Sequence, residues 1–201
     1  MSLIKLNDRA VKDVTQFGSI SSLGSLTHIS TATASASASI EFTSGIDSTY
    51  KEYVFYFVNM HPSAINGRFE FNLSTDSGSN YNVTKTSTFF RAYHNEAGDN
   101  AALTYETSKD LAQSTSFQRL SDTIGNDNDQ SCSGILHLFN PSSTTFVKHF
   151  IARTNTYQDS DFSIDSYIAG YGNTTSSIDA IQFKMDSGNI DAGQILLFGV
   201  N

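Results

Sequence analysis

The chain has 201 residues, a formal net charge of −8 at pH 7 and only 16% charged side chains. Its 12 Lys and Arg residues are scattered and form no basic stripe, which argues against a nucleic-acid-binding protein. One cysteine, Cys132, excludes an internal disulfide and a cysteine-based zinc site, and no run approaches the roughly 18 apolar residues of a membrane span. The sequence thus predicts one large domain, or a domain with an arm, that needs no cofactor and does not insert into a membrane.

Residues 1–36 differ from the rest of the chain and predict an N-terminal arm. Apolar residues near the start are followed by a low-complexity stretch, GSISSLGSLTHISTATASASAS, which is typical of a linker. The start has no continuous apolar core, so it does not resemble a secretory signal, and we expect the protein to be made in a cytoplasm. Its basic residues indicate either a solvated arm or docking on an acidic partner. The residues assigned to attachment are Leu3, Ile4, Lys5, Leu6, Arg9 and Lys12.

From residue 37 onward the pattern predicts strands of an antiparallel β-sandwich. Short apolar runs are separated by turn-forming residues at the spacing of a jelly roll. These runs lie at 38–43, 53–60, 68–73 and within 83–93. The run YVFYFVNM is apolar on both faces, which predicts a central strand covered on both sides. From 94 to 130 the pattern weakens, and Leu103 and Tyr105 are predicted to be buried anchor points.

The clearest element is a hairpin of strands at 133–140 and 144–153, with a turn at Asn140-Pro141-Ser142-Ser143. If residue 140 pairs with residue 144, one face of the hairpin carries Leu136, Leu138, Phe146 and Phe150. The other face is apolar as well, so the hairpin either is central to a two-layer fold or packs against another subunit. The residues predicted for a subunit interface are Ile135, His137, Phe139, Val147, His149 and Ile151.

Apolar runs at 163–171, 180–185 and 195–200 complete the predicted fold and tie the C-terminal end of the sequence into a sheet. In total we expect eight or nine strands and little helix. The prediction is an all-β protein, an antiparallel jelly-roll β-sandwich over residues 37–201 with the N-terminal arm in front of it.

No motif in the sequence declares a reaction. Gly-x-Ser-x-Gly, a phosphate-binding glycine loop and His-Glu-x-x-His do not occur, and no carboxylate pair stands out by its spacing, so we expect a protein that is not an enzyme. The oxygen-rich segment 125–129 offers Asp127 and Asp129 as calcium ligands, but it lacks the glycine and distal glutamate of an EF-hand loop. We therefore favour an exposed polar loop and predict no metal site.

Tyrosines next to Asn, Asp and Ser residues support a second interpretation, in which the protein binds sugars by stacking and hydrogen bonding. The residues assigned to glycan contact are Tyr81, Tyr93, Tyr157 and Tyr171. Burial within a β-sandwich is the alternative explanation for most of its aromatic residues, and we favour that explanation.

Several long segments of the chain are specific enough to compare with known proteins. They are Lys5-Leu6-Asn7, FTSGIDSTYKEYVFYFVNMHP (42–62), TFFRAYHNE (88–96), LHLFNPSSTTFVKHF (136–150), AGYGNTTSSIDAIQFKM (169–185) and the closing GNIDAGQILLFGV. Together they resemble a family of small virion structural proteins from tailed bacteriophages, especially those of marine bacteria and cyanobacteria. The resemblance covers most of the chain from Phe42 onward. It implies a jelly-roll module of a tail fibre, tail tip or capsid surface, and it implies no catalytic residue.

The predicted function is that of a non-enzymatic virion structural protein, assembled in the host cytoplasm. The resemblance implies assembly on a threefold axis as a homotrimer, which fits sheets that are apolar on both faces. The arm would attach the trimer to other virion proteins in a tail-associated role, fibre-like or receptor-binding. The alternatives are a capsid decoration protein on the head surface and a carbohydrate-binding module that contacts a host-surface glycan. We expect removal of residues 1–36 to leave a folded domain that no longer enters the particle.

Overall fold

The computed structural model describes residues 25–201, and these form twelve β-strands and no helix. The strands are β1 (Leu26–Thr33), β2 (Ile40–Phe42), β3 (Glu52–Pro62), β4 (Phe69–Ser74), β5 (Lys85–Asn95), β6 (Ala101–Tyr105), β7 (Gln118–Arg119), β8 (Cys132–Phe139), β9 (Lys148–Gln158), β10 (Phe162–Gly172), β11 (Ala180–Met185) and β12 (Ile190–Val200). This confirms the all-β prediction. The count exceeds the predicted eight or nine because β1 lies in the segment that was predicted to be an arm, and β6 and β7 lie in the stretch 94–130, where the sequence pattern is weak.

The strands form two antiparallel sheets. The large sheet has eight strands in the order β1-β12-β3-β8-β9-β10-β5-β6, and the small sheet has four in the order β2-β11-β4-β7. Aromatic rings of the small sheet pack against β3 and β9 of the large sheet, for example Phe57 against Phe69 and Phe71 against Phe150. The two layers therefore form a β-sandwich. The jelly-roll connectivity stays a prediction.

Alternation of side chains along the strands places the core between the two sheets. In β9, every second residue from Lys148 to Thr156 is buried and the residues between them are exposed. Phe183 of β11 lies at the centre of the aromatic core and is fully buried. Its ring contacts the rings of Phe42, Phe55, Phe57, Phe69 and Phe71. The Cys132 thiol is also fully buried, and burial raises its pKa to about 11.

The hairpin of β8 and β9 forms as predicted, but its register differs by four residues. Leu138 lies opposite Phe150, whereas the predicted register placed it opposite Phe146. The register differs because the connection between the two strands is longer than predicted. The hydroxyl of Ser143 accepts hydrogen bonds from the backbone N–H groups of Thr145 and Phe146, so these groups do not pair with β8. Leu136, Leu138 and Phe150 do share the core face. The prediction was wrong for Phe146, which is 69% exposed.

The connection between β6 and β8, which includes β7, covers the inner face of β5. The Ser87 side chain bonds to Gln118, its backbone N–H donates to Leu111, and Lys85 and Ser114 form an isolated bridge. Four charged side chains pin this connection to the sheet, since Lys109 lies 2.6 Å from Asp122 and 3.3 Å from Glu106, and Arg91 of β5 contacts both carboxylates. The connection is therefore part of the sandwich.

The large sheet begins inside the segment that was predicted to be an arm. Residues 26–33 form β1, which pairs along its length with β12, and Ala34 is buried in the core. Hydrogen bonds continue to Ala36, whose N–H donates to Asp191. The structured domain thus starts about ten residues before the predicted boundary at residue 37, and residues 1–24 lie outside the described part of the chain.

Candidate functional site: the outer face of the large sheet

The face of the large sheet that points away from the small sheet is called the outer face here. Eight large hydrophobic side chains of residues 25–201 are exposed, and six of them lie on this face. The six are Leu26, Val58, Phe90, Leu103, Tyr105 and Ile151. Ile65 and Phe146 lie in connections instead. A clustering of this kind marks the outer face as a candidate interaction surface, because scattered single apolar residues would need no explanation.

The strand register aligns apolar and aromatic side chains of the outer face in two rows. The Ile135 row crosses all eight strands and contains Thr31, Leu196, Tyr56, Ile135, Arg153, Tyr167, Phe90 and Tyr105. The Ile151 row contains His28, Phe198, Val54, His137, Ile151, Ala169 and Thr88. Side chains that lie opposite each other on neighbouring strands contact one another. The two rows therefore form one continuous surface.

Within the Ile135 row, three side chains form a stack. The rings of Phe90 and Tyr167 are parallel within 2°, and their centroids are 4.8 Å apart. The Arg153 guanidinium lies 4.9 Å from the centroid of the Tyr167 ring. Arg153 also donates to Asp165 at 2.6 Å, and this bond holds the pKa of Asp165 below its usual value. Because Phe90 and Arg153 both pack against the ring of Tyr167, this ring is not an open stacking surface for a sugar.

Little charge lies on the outer face. Arg153 is the one charged side chain in the two rows, and it is paired with Asp165. Glu52 borders the Ile151 row and lies 2.5 Å from Nδ1 of His137. The chain as a whole has a net charge of −8. Most of that charge therefore lies elsewhere, and two copies of this acidic protein can approach each other through the outer face without strong repulsion.

A depression of about 440 Å³ interrupts the outer face at Ala169. Ile151 and Tyr171 border it, and Ala169 leaves a gap in β10 between the large side chains of Tyr167 and Tyr171. The next residue, Gly170, lies on the core face of β10, where a Cβ would come within 2.5 Å of the carbonyl oxygen of Thr86 and 2.7 Å of the Phe150 ring. The full lining is Thr86, Ser87, Thr88, His149, Phe150, Ile151, Ala169, Gly170 and Tyr171.

Five of the six predicted interface residues lie together on the outer face. Ile135, His137 and Phe139 come from β8, and His149 and Ile151 come from β9. Val147 precedes β9 and lies in the connection, because the register differs from the prediction. The sequence prediction missed Ala169, although the alternation of Tyr167, Ala169 and Tyr171 is a readable signal for a gap between two tyrosines. It was wrong for Leu103 and Tyr105, which were predicted to be buried and are 70% and 53% exposed because they lie on an edge strand.

The structure does not bring the four predicted glycan-contact tyrosines together. Tyr81 lies in the connection between β4 and β5, and Tyr93 packs 5.7 Å from the ring of Phe162 on the inner side of the large sheet. Tyr157 and Tyr171 are both on the outer face, but Tyr171 lies opposite His149, eight residues from Tyr157 along β9. That spacing is about 27 Å. These residues do not form one sugar-binding surface.

The remaining predicted site residues fall in two places. Asp127 and Asp129 lie in an exposed loop before β8, where the backbone N–H of Asp127 donates to Gln130. Within residues 25–201, no three His, Cys, Asp or Glu side chains lie close enough to hold a metal ion. The same part of the chain contains no helix with the length and hydropathy needed to cross a membrane. The predicted attachment residues Leu3, Ile4, Lys5, Leu6, Arg9 and Lys12 lie outside the described residues.

Comparison with known proteins finds no relative of this chain. No protein-family model, no curated protein and no solved structure matches the chain.

Proposed function

We propose that this protein is a non-enzymatic structural protein of a tailed-bacteriophage virion, assembled in the host cytoplasm as a homotrimer and associated with the tail as a fibre-like or receptor-binding module. The observation that carries the proposal is the outer face of the large sheet, on which two rows of mostly apolar side chains contain one charged residue and no other strand of residues 25–201 lies. A surface of this composition suits burial against another subunit of a particle.

The size of the outer face supports the same conclusion. Eight strands spaced about 4.8 Å apart span roughly 38 Å, and two rows of side chains two residues apart occupy about 13 Å along the strands, so the rows cover on the order of 500 Å². Stable protein–protein interfaces bury about 800 Å² per partner and have an apolar core inside a polar rim. The two rows are therefore large enough to form the apolar core of a subunit interface.

The resemblance to virion proteins supports the choice among assemblies. Two of the segments that carry it, 136–150 and the closing residues, contribute strands β8, β9 and β12 to the large sheet. In the proposed particle, residues 1–24 attach the domain to other virion proteins.

Sedimentation equilibrium at micromolar concentration tests the assembly. The wild-type chain should sediment with three times its mass of 21.9 kDa. Ile151→Asp places a carboxylate at the centre of the outer face and should shift the protein to monomer, because burying an unpaired charge is costly. Ile65→Asp is the matched control, since Ile65 is similarly exposed but lies off the outer face. A monomeric wild-type protein would contradict the proposed trimer.

Immunogold electron microscopy and quantitative mass spectrometry of purified virions test the location. Label at the tail and on the order of a dozen copies per particle would support the tail-associated role. Label over the head and hundreds of copies would instead identify a capsid decoration protein. If purified virions lack the protein altogether, the structural role is wrong.

A further inference from the structure

The most exposed apolar side chain on the outer face lies at the edge of the large sheet. β6 is the edge strand, and within residues 25–201 no other strand pairs with its free side. Leu103 is 70% exposed and Tyr105 is 53% exposed, and all five residues of the strand, AALTY, are uncharged. Natural proteins usually protect such an edge with charge, proline or a bulge. An uncharged edge that presents a leucine is a protruding apolar element in need of a partner.

The depression at Ala169 is the matching recess, but it is too far away for the same molecule to fill. Leu103 lies opposite Ala92, which lies opposite Asp165, and Ala169 is four residues further along β10. Two strand spacings across and four residues along correspond to about 10 Å and about 13 Å, which gives a separation of roughly 17 Å. A side chain on a fixed strand cannot cover that distance.

We infer that Leu103 of one copy enters the depression at Ala169 of the next copy, so that the edge strand β6 packs across the outer face of its neighbour. The lining of the depression contains no Asp, Glu, Lys or Arg side chain, and the edge strand carries none either. Tyr105 borders the contact, since its hydroxyl donates to Asp110 at 2.6 Å and keeps the ring at the sheet edge. The inference rests on the proposed homotrimer and names the surfaces that build it.

A contact between Leu103 and the depression is compatible with two symmetries. In a two-fold dimer each copy's Leu103 would enter the depression of the other copy, whereas in a ring each copy turns its Leu103 toward one neighbour and its depression toward a second neighbour. The proposed homotrimer requires the ring, which closes when the rotation between copies allows it. A ring of three copies fills every depression with a Leu103 side chain.

Disulfide trapping tests the contact directly. Leu103→Cys and Ala169→Cys are made as separate single variants and as a double variant, and diamide serves as the oxidant that takes up the two electrons and two protons of each new disulfide. The native Cys132 does not interfere, because it is fully buried. The double variant should give covalent dimers and trimers on a non-reducing gel, with no band above the trimer.

Mixing the two single variants should give one cross-linked dimer, and neither variant alone should cross-link. This pattern shows that residue 103 meets residue 169 of another copy, and the trimer band of the double variant separates a ring from a two-fold dimer, which would stop at the covalent dimer. Cross-linking of either single variant alone would show that the residue meets its own counterpart and would overturn the inference. A double variant that stops at the covalent dimer would overturn it as well. A double variant that stays monomeric on the gel while the wild type sediments as a trimer would also overturn it.

Two further variants separate this contact from the proposed trimer itself. Leu103→Asp removes the protruding apolar group, and Ala169→Leu fills the recess, and both positions are exposed, so the fold should survive. Each should weaken trimer formation at least tenfold, with Ile65→Asp as the control without effect. If the wild type is a trimer and neither variant weakens it, the β6 contact is wrong and the trimer stands. If the wild type is a monomer, both proposals fail.

Discussion

Nζ of Lys85 donates a hydrogen bond to Oδ1 of Asn72 inside the sandwich, where both residues are fully buried. The amine also donates to the carbonyl of Val83 at 2.8 Å, and the Asn72 amide donates to the carbonyls of Tyr81 and Thr115. Burial lowers the pKa of Lys85 to about 7, although the charge of Glu70 acts in the opposite direction. The side chain is thus held by hydrogen bonds rather than by an ion pair.

Because the Lys85 amine is buried, we expect the free energy of unfolding to rise with pH. In the unfolded chain a lysine titrates near 10.4, so between about pH 7 and pH 10 the unfolded state holds a proton that the folded state has released. The free energy of unfolding should therefore increase by up to about 1.4 kcal/mol per pH unit in this window. Lys85→Met removes the group, and urea titrations at pH 7.5 and 9.5 should show the wild type gaining about 2 kcal/mol over the variant.

Lys51→Met is the control for this comparison, because Lys51 is exposed. It should follow the wild type at both pH values. Lys148, whose pKa burial also lowers, is present in all three proteins and cancels in the differences. Parallel stability curves for the wild type and Lys85→Met would show that the Lys85 amine keeps its proton in the folded state.

Asp122 anchors the charge cluster beneath β5, and its substitution should loosen the connection between β6 and β8. Burial opposes ionisation of Asp122, but the hydrogen bond and charge of Lys109 outweigh burial and hold its pKa below the usual value. Asp122→Asn leaves the buried Lys109 without its closest carboxylate, so we expect a loss of about 3 kcal/mol in unfolding free energy at pH 7. Hydrogen exchange should accelerate first in residues 108–123.

The pH dependence of this loss has a defined sign. A carboxylate whose pKa is lowered by folding stabilises fully above its unfolded pKa of about 3.9, and this contribution disappears as the pH falls through the folded value. The difference between the wild type and Asp122→Asn should therefore shrink below about pH 4. Asp129→Asn, in an exposed loop, should stay within about 0.5 kcal/mol of the wild type. Equal losses in both variants would contradict a specific role for the cluster.

The outer face illustrates what the sequence pattern can predict. The alternation of Ile135, His137 and Phe139 with Leu136 and Leu138 indicated two apolar faces, and period 2 is a property of the strand itself. The same pattern could not supply the register of β9, which depends on how Ser143 holds the preceding connection. For that reason the prediction placed Val147 on the outer face.

Features that depend on distant segments were not predictable from local pattern. Leu103 was predicted to be a buried anchor point in a stretch of weak pattern, and only the strand order shows that it belongs to an edge. Lys85 is polar and would be expected at the surface, yet Asn72 and the connection that contains Thr115 enclose it. Burial of such residues is decided by long-range packing, which a single sequence does not display.

Substitution of Phe183 should cause the largest loss of unfolding free energy of any single residue in the core. Phe183→Ala removes the ring that contacts five other phenylalanines across both sheets, so it should cost about 3–5 kcal/mol, as is usual for a buried phenylalanine. Urea denaturation followed by tyrosine fluorescence measures the change. Phe146→Ala is the matched control, since Phe146 is 69% exposed, and it should change stability by less than about 0.5 kcal/mol. Comparable losses would mean that Phe183 is not the centre of the core.

Truncation at two positions tests where the domain begins. Removal of residues 1–24 should leave a folded domain, because residues 25–201 form two paired sheets with a shared core. Removal of residues 1–36 should not leave the intact domain that the sequence predicted, since it deletes β1 and exposes the edge of β12. It also removes the backbone hydrogen bonds of Ala34 to Gly193 and of Ala36 to Asp191.

With about 1 kcal/mol for each of several lost hydrogen bonds, the longer truncation should lower the unfolding free energy by at least about 3 kcal/mol. The shorter truncation should remain folded and yet fail to enter virions, because in the proposed particle residues 1–24 carry the attachment. Equal stability of the two truncations would show that β1 is dispensable and that the domain begins at residue 37. Incorporation of the shorter truncation into virions at the wild-type level would move the attachment site into residues 25–201.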